Sequence, residues 1–228
     1  MTIMSIADNV RELLEQISSG NAYGEKVTLV AATKMQTAED INRAIEAGIA
    51  DIGENKVQEF KDKYDLVKGA NRHFIGHLQT NKVKYLIGKT YLYHSCDRME
   101  LAEEISKRSQ KCGVVSDVLV QINIGCELSK GGFSYEDGFS AYERIKALPH
   151  VRVKGFMAML PFEGEDDYLL SLVKKMRALY DEVRLQDKDV EYLSMGMSGD
   201  YKLCLQGGSN MIRIGTTIFG ERNYNASV

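Results

Sequence analysis

The residues of this chain best suited to chemistry lie near its two ends. Val27-Thr28-Leu29-Val30-Ala31-Ala32-Thr33-Lys34 is a short apolar, β-branched run that stops on a lysine, the pattern of a buried strand with one amine at its C-terminal tip. Taking an amine out of water disfavours its charged form, and a neutral amine attacks an aldehyde to form a Schiff base. A surface lysine that marks where a strand emerges has the same local sequence, so the far end of the chain has to decide. There, Ser194-Met195-Gly196-Met197-Ser198-Gly199-Asp200 and Gly215-Thr216-Thr217 are two small, hydroxyl-bearing stretches. Together they offer a nest of N–H and O–H donors for a phosphate dianion, or, with no ligand, a pair of helix caps.

Between those stretches Arg213 sits among Met211, Ile212 and Ile214. Its guanidinium points either outward among helices or inward, and if buried it needs an acceptor, because an unpaired buried charge is costly. A pyridine nitrogen is a suitable acceptor. The cofactor that joins an aldehyde, a phosphate and a pyridine nitrogen is pyridoxal 5′-phosphate (PLP), so Lys34, Arg213 and the two loops can share one ligand. An arginine stays protonated, and it would therefore keep the ring nitrogen unprotonated and weaken the ring as an electron sink relative to an aspartate partner.

The elements that must position these groups alternate along the chain. Ile6, Val10, Leu13, Leu14 and Ile17 share a helical face ahead of the first strand, with Gly20 placed to end that helix. After Lys34, Thr37 and Asp40 form a cap for a helix closed by Gly48, and strands follow at 50–53 and 72–75 with an Asn55-capped helix between them. The spacing then predicts a helix at 80–88, a strand at 90–94, a helix capped by Asp97 that runs to Gly113, and a strand at 115–124. Ser134 caps a helix that stops before Pro149, 151–159 reads as a strand, and Leu169 to Val183 carry the stripe of a long helix. A strand at 191–196, a helix at 200–206 and a strand at 210–214 complete eight strand–helix units. Within 228 residues this predicts an α/β fold, a single (β/α)8 TIM barrel with an extra N-terminal helix, as one PLP-binding domain over 1–228. An open doubly wound sheet is the competing fold, but no G-x-G-x-x-G follows the first strand.

Hydrophobic residues make up 44% and charged residues 27% of the chain, an ordinary globular balance, and a net charge of −3 gives no electrostatic reason for a nucleic-acid or membrane partner. Cys96, Cys112, Cys126 and Cys204 form no C-x-x-C pair and stand at no metal-ligand spacing, so no metal is expected and a reducing, cytoplasmic setting is. Asp8, Arg11 and Glu12 stand where a signal peptide would be apolar, and no run is long enough to cross a membrane. With no heptad and no legible apolar patch, a monomer is the default.

At the residues named above the chain resembles the pyridoxal phosphate homeostasis protein family, single-domain relatives of the alanine racemase barrel domain. The matching segments are Ala32-Thr33-Lys34, Gly53 to Glu59, His73 to Lys82, Leu128-Ser129-Lys130-Gly131-Gly132-Phe133, Ser194 to Asp200 and Arg213-Ile214-Gly215-Thr216. The resemblance implies that Lys34 holds PLP as a Schiff base, that Arg213 faces the pyridine nitrogen, that Ser198, Gly215 and Thr216 hold the phosphate, and that Asn55 lies near the ring. It implies a protein of intracellular PLP (vitamin B6) homeostasis without efficient catalysis, with PLP-dependent apoenzymes as its candidate partners. Lys56, Gln36-Thr37 and Asp200 to Cys204 depart from the family pattern, which concerns the rim of the site more than the cofactor.

Other readings compete. A weak amino-acid racemase, or another PLP-dependent enzyme, would use Lys34 as a base; in racemases the opposing group comes from a second domain, and this chain is expected to lack one. A cofactor-free class I aldolase would instead use Lys154 on the sixth strand. His77 is a ring-shielding or proton-shuttling candidate set against a polar loop residue, and Lys130 an aldehyde-exchange candidate set against a solvated loop lysine. The acidic run Glu163, Glu165, Asp166 and Asp167 suits a helix start, and Met195 and Met197 suit packing.

Overall fold

The computed structural model describes residues 5–127 and 130–220. Eight parallel strands close into a barrel in chain order: β1 (Thr28–Ala32), β2 (Asp51–Glu54), β3 (Asn71–Phe74), β4 (Leu92–Cys96), β5 (Ser116–Ile122), β6 (Val151–Ala158), β7 (Tyr192–Ser194) and β8 (Met211–Ile214). The helices are α1 (Ile6–Gln16), α2 (Ala38–Glu46), α3 (Val57–Lys63), α4 (Met99–Cys112), α5 (Gly138–Lys146), α6 (Asp166–Gln186), α7 (Tyr201–Gln206) and α8 (Thr216–Phe219), with a 3₁₀ segment at Thr80–Tyr85 between β3 and β4. This is the (β/α)8 barrel with an additional N-terminal helix that the alternating pattern predicts. No helix among the described residues is long and apolar enough to cross a membrane.

Closure is made by β1 against β8, where Val30 lies opposite Arg213 and Ala31 opposite Ile214. The extra helix α1 buttresses this seam. Val10 and Leu13 pack in the same apolar cluster as Ile41 and Ala44 of α2, Leu29 of β1, Ile212 of β8 and Ile218 of α8, and Asn9 Nδ2 donates to the Ile218 carbonyl at 3.0 Å. A capping box at Ser5 and Asp8 starts the helix. A second cluster packs α4, α5 and α6 on β4 to β6. Inside the barrel, Val30, Leu92, Leu119, Met157 and Met211 from five strands touch one another, the filled interior expected of an eight-stranded barrel.

Several local boundaries differ from the sequence expectation for physical reasons. Within 80–88 only Thr80–Tyr85 is helical, and it is 3₁₀ rather than α; its buried Val83 and the following Leu86 stand three residues apart, which a three-residue turn stacks on one side. Asp97 does not cap α4; Arg98 occupies that position, and the Asp97 carboxylate is engaged by His77 and Arg98. Asn55 is likewise not a cap, since Lys56 precedes α3 and has no side-chain cap bond. Ser134 Oγ accepts from the Asp137 N–H, one turn before α5 begins, and α1 ends at Gln16, short of Gly20. Leu128 and Ser129, within one of the family-like segments, lie outside the described residues.

Strand β6 carries one extra residue against β5: Val118 pairs with Val153, and Leu119 with Gly155, so Lys154 is unopposed. Gly155 makes this bulge possible with φ +143°, and a Cβ there would lie 1.8 Å from the Tyr192 carbonyl oxygen of β7. Gly155→Ala is therefore expected to destabilise the barrel by about 3 kcal/mol, read as a lowered denaturant midpoint at unchanged slope. An unaltered midpoint would mean that the bulge relaxes without cost.

Candidate functional site

The six residues singled out from sequence, Lys34, Asn55, Ser198, Arg213, Gly215 and Thr216, all line one cleft of about 340 Å³ at the C-terminal ends of the strands. Lys34 and Asn55 follow β1 and β2, Arg213 belongs to β8, and Ser198, Gly215 and Thr216 come from the segments after β7 and β8. The pairing of β1 with both β2 and β8 brings these parts of the chain side by side. Gly76, after β3, packs so tightly on Asn55 that a Cβ would lie 2.1 Å from the Asn55 carbonyl oxygen, which fixes the backbone that presents Asn55.

At one end of the cleft two loops converge on a single oxygen. Ser198 Oγ accepts from the Gly215 N–H at 3.3 Å and from the Thr217 N–H at 3.4 Å. Backbone donors and a hydroxyl gathered at one point are the donor set an oxyanion matches. Met195 is buried as expected from its packing role, whereas Met197 is exposed and lines the cleft; its N–H is taken by Asp200 Oδ1 at 2.6 Å.

Arg213 points inward. It is buried, with Nη1 donating to the Ser194 carbonyl at 2.9 Å and to Ser194 Oγ at 2.6 Å, and Nη2 donating to the Ala158 carbonyl at 3.2 Å. No carboxylate among the described residues lies within 4.0 Å of it. Burial pushes the guanidinium down to about 10, offset in part by the Cys204 thiol and Asp200, so the group is still protonated at neutral pH. Ser194 is a partner that sequence reading missed; the signal was its phase, two residues from Gly196 on a strand adjoining Arg213.

The turn that carries Lys34 is built by groups that also escaped the sequence reading. Lys63 Nζ donates to the Thr33 carbonyl at 3.0 Å and pairs with Glu54 Oε1 at 2.8 Å and Glu59 Oε2 at 2.9 Å. Thr33 Oγ1 donates to Glu54 Oε1 at 2.7 Å. Met35 adopts a left-handed φ of 64°, held by its N–H donating to Glu59 Oε2 at 2.7 Å. Burial raises the Glu54 carboxyl above its usual range against the opposing pull of Lys63. Lys34 itself is half-buried.

The remaining candidates fall elsewhere. His77 is exposed, pairs with Asp97 at 3.1 Å, and faces a neighbouring cleft with Lys56, Lys61 and Lys82. Lys130 is engaged by Glu127 and by the Leu160 carbonyl. Lys154 is buried and paired with Glu191, which precedes β7 and so lies at the opposite end of the barrel from the cleft; this removes the geometric basis of the aldolase reading. Glu165 to Asp167 cap and open α6. No group of three or more His, Cys, Asp or Glu side chains among the described residues could hold a metal.

Fold and cleft define a barrel of the racemase type, and the family described as "Alanine racemase, N-terminal domain" matches residues 3–223. A pyridoxal phosphate homeostasis protein of Aquifex aeolicus is 40% identical, over 97% of this chain and 100% of its own length. One of Escherichia coli K12 is 33% identical, over 96% and 98%. The structure of PipY of Synechococcus elongatus with PLP bound superposes with a TM-score of 0.82 at 27% identity, covering 95% of this chain and all of PipY. The chain belongs to the pyridoxal phosphate homeostasis protein family, built on the racemase barrel.

Lys63→Ala should leave Glu54 buried beside the Lys34 turn with no cation, at a cost of about 3 kcal/mol near neutral pH. A carboxyl whose folded pKa is raised contributes stability below its unfolded pKa and loses it as pH rises through the folded value. The deficit of the variant relative to the wild type is therefore expected to be largest at neutral pH and to shrink towards about pH 5, measured by chemical denaturation across that range. A deficit independent of pH would remove the Glu54 charge from the account.

Proposed function

We propose that this protein binds PLP in the cleft at the ends of β1, β2, β7 and β8 and serves intracellular PLP homeostasis without efficient turnover. Lys34 carries the cofactor through its amine, Arg213 faces the pyridine nitrogen, Ser198, Gly215 and Thr216 hold the phosphate, and Asn55 lies beside the ring. The observation that carries this reading is the meeting, in one cleft, of an amine, a buried guanidinium with no carboxylate partner and two backbone N–H groups aimed at one oxygen. The donor set fits the group: an anion end, a cation for a ring acceptor, and a nucleophile between them. When bound, PLP supplies a carbonyl that reacts reversibly with amines.

Lys34 and Arg213 are the charged side chains that line the cleft among the described residues. Arg213 remains protonated, so Lys34 is the one base on offer, and exchange of a proton on two faces of a substrate lacks its second partner. This supports a carrier over a racemase. The names of the relatives from Aquifex aeolicus and Escherichia coli, and the PLP-bound state of PipY, support the same reading. The free thiols of Cys96, Cys112, Cys126 and Cys204 support work in the cytoplasm. We take residues 1–228 as a single cofactor-binding domain, acting as a monomer that serves PLP-dependent apoenzymes.

Reconstitution with PLP followed by desalting tests this reading. The wild type should retain about one equivalent, and Lys34→Ala should lose the visible band. Arg213→Glu should alter the absorbance and weaken retention, because the charge at the ring nitrogen reverses. Ser198→Ala should weaken retention up to about tenfold, the worth of one hydrogen bond to an anion. Sustained amino-acid turnover that Lys34→Ala abolishes would promote the racemase alternative over the carrier.

A further inference from the structure

Behind the cleft a string of polar side chains crosses the barrel interior, and the cofactor reading uses only its first member. Arg213 Nη1 reaches Ser194 Oγ at 2.6 Å, Ser194 Oγ lies 3.2 Å from His94 Nδ1, His94 Nε2 lies 2.9 Å from His73 Nδ1, and His73 Nε2 lies 3.0 Å from Asp51 Oδ1. These residues come from β8, β7, β4, β3 and β2, so the string runs from the cleft to the start of β2 at the far end of the barrel. His73, His94, Ser194 and Arg213 are all buried. A polar chain in an otherwise apolar interior is costly unless every contact is satisfied.

The two ends fix the direction of the protons. A guanidinium only donates, so Ser194 Oγ accepts from Arg213 and has its own hydrogen to give. At the other end Asp51 only accepts: although burial raises its carboxyl, hydrogen bonds from His73 and Asn71 prevail and hold it below the usual range. With neutral imidazoles, one arrangement satisfies all four contacts. Ser194 O–H donates to His94 Nδ1, His94 Nε2–H donates to His73 Nδ1, and His73 Nε2–H donates to Asp51. Burial, reinforced by the positive charge of Arg213, holds His94 well below the ordinary range of a histidine and so keeps it neutral. The other groups that face the string are Asn71, which donates to Asp51 Oδ1 at 2.9 Å, Lys26, whose charge acts on Asp51, and Tyr91, whose ring centroid lies 5.2 Å from that of His73.

We propose that Ser194, His94, His73 and Asp51 form a one-directional hydrogen-bond relay that supplies Arg213 with a remote counter-charge and holds its guanidinium at the cleft in one orientation. Arg213 is buried with only a hydroxyl and two carbonyls in contact, and the carboxylate at the end of the relay is the anion to which this string connects it. The four are positioning residues that act through Arg213. The relay is a property of the free protein; only its effect on bound PLP rests on the cofactor reading above.

Long-range ¹H–¹⁵N correlation spectra of the full chain without cofactor, labelled in histidine and held at about pH 8 where an ordinary imidazole is neutral, read the relay directly. His73 and His94 should both carry their proton on Nε2. In Asp51→Asn the ring nitrogens of His94 should shift although His94 does not touch that residue, and in Ser194→Ala the His94 Nδ1 signal should move to that of an unbonded nitrogen while Ser194→Thr keeps the wild-type position. A proton on His94 Nδ1 in the wild type would reverse the chain and overturn the relay, as would a His94 spectrum indifferent to Asp51→Asn. If those variants fail to fold, the wild-type tautomers still decide. Retention of PLP is measured in parallel: several-fold weaker binding in Ser194→Ala, restored in Ser194→Thr, is expected. Failure of the wild type to bind PLP would count against the cofactor reading and leave the histidine spectra to judge the relay.

Discussion

Everything at the candidate site depends on the pairing of the first strand with the last. Because β1 lies between β2 and β8, the turn after Ala32 faces both Asn55 and the segment that begins at Gly215, and the inward Arg213 stands level with Val30. The seam has its own support in α1, whose Val10 and Leu13 complete the apolar cluster over β1 and β8 and whose Asn9 is tied to α8. The additional N-terminal helix is thus part of the closure rather than an ornament on a barrel.

Much of this was legible in the sequence because strands such as β1 are short and apolar and several helices start at a cap or stop at a glycine. The Thr37-x-x-Asp40 pair, and the glycines at 48 and 113, mark element ends by local chemistry that needs no tertiary information. Lys34, Ser198 and Arg213 could be nominated because each interrupts an apolar or glycine-bearing pattern with one polar group. What escaped notice depends on contacts between strands. Glu54 reads as the residue just past a strand until Lys63 and Thr33 are seen to meet it, and Asp97 reads as a cap until His77 and Arg98 take its carboxylate. His73 and His94 are ordinary strand histidines in sequence; the 2.9 Å contact that joins them exists only because β3 pairs with β4.

The electrostatic character of the site follows from what surrounds Arg213. A buried guanidinium held by a hydroxyl and carbonyls keeps its proton and leaves its charge available to a ligand. Opposite it, the only other charged side chain lining the cleft is Lys34, among the described residues. A ring placed between the two would be held at its nitrogen by a cation and at its carbonyl by an amine, with a phosphate met by backbone N–H groups and Ser198. A cation at the ring nitrogen would offer little to draw electrons into the ring, which accords with the proposed holding of a cofactor rather than turnover of a substrate.

The most direct test of the central claim is to load the protein with PLP, reduce it with borohydride and map the modified peptide by mass. A single pyridoxyl adduct is expected, on Lys34, with the other lysines unmodified at stoichiometric loading. An adduct on Lys130 or Lys154, or one spread over surface lysines with Lys34 free, would contradict it.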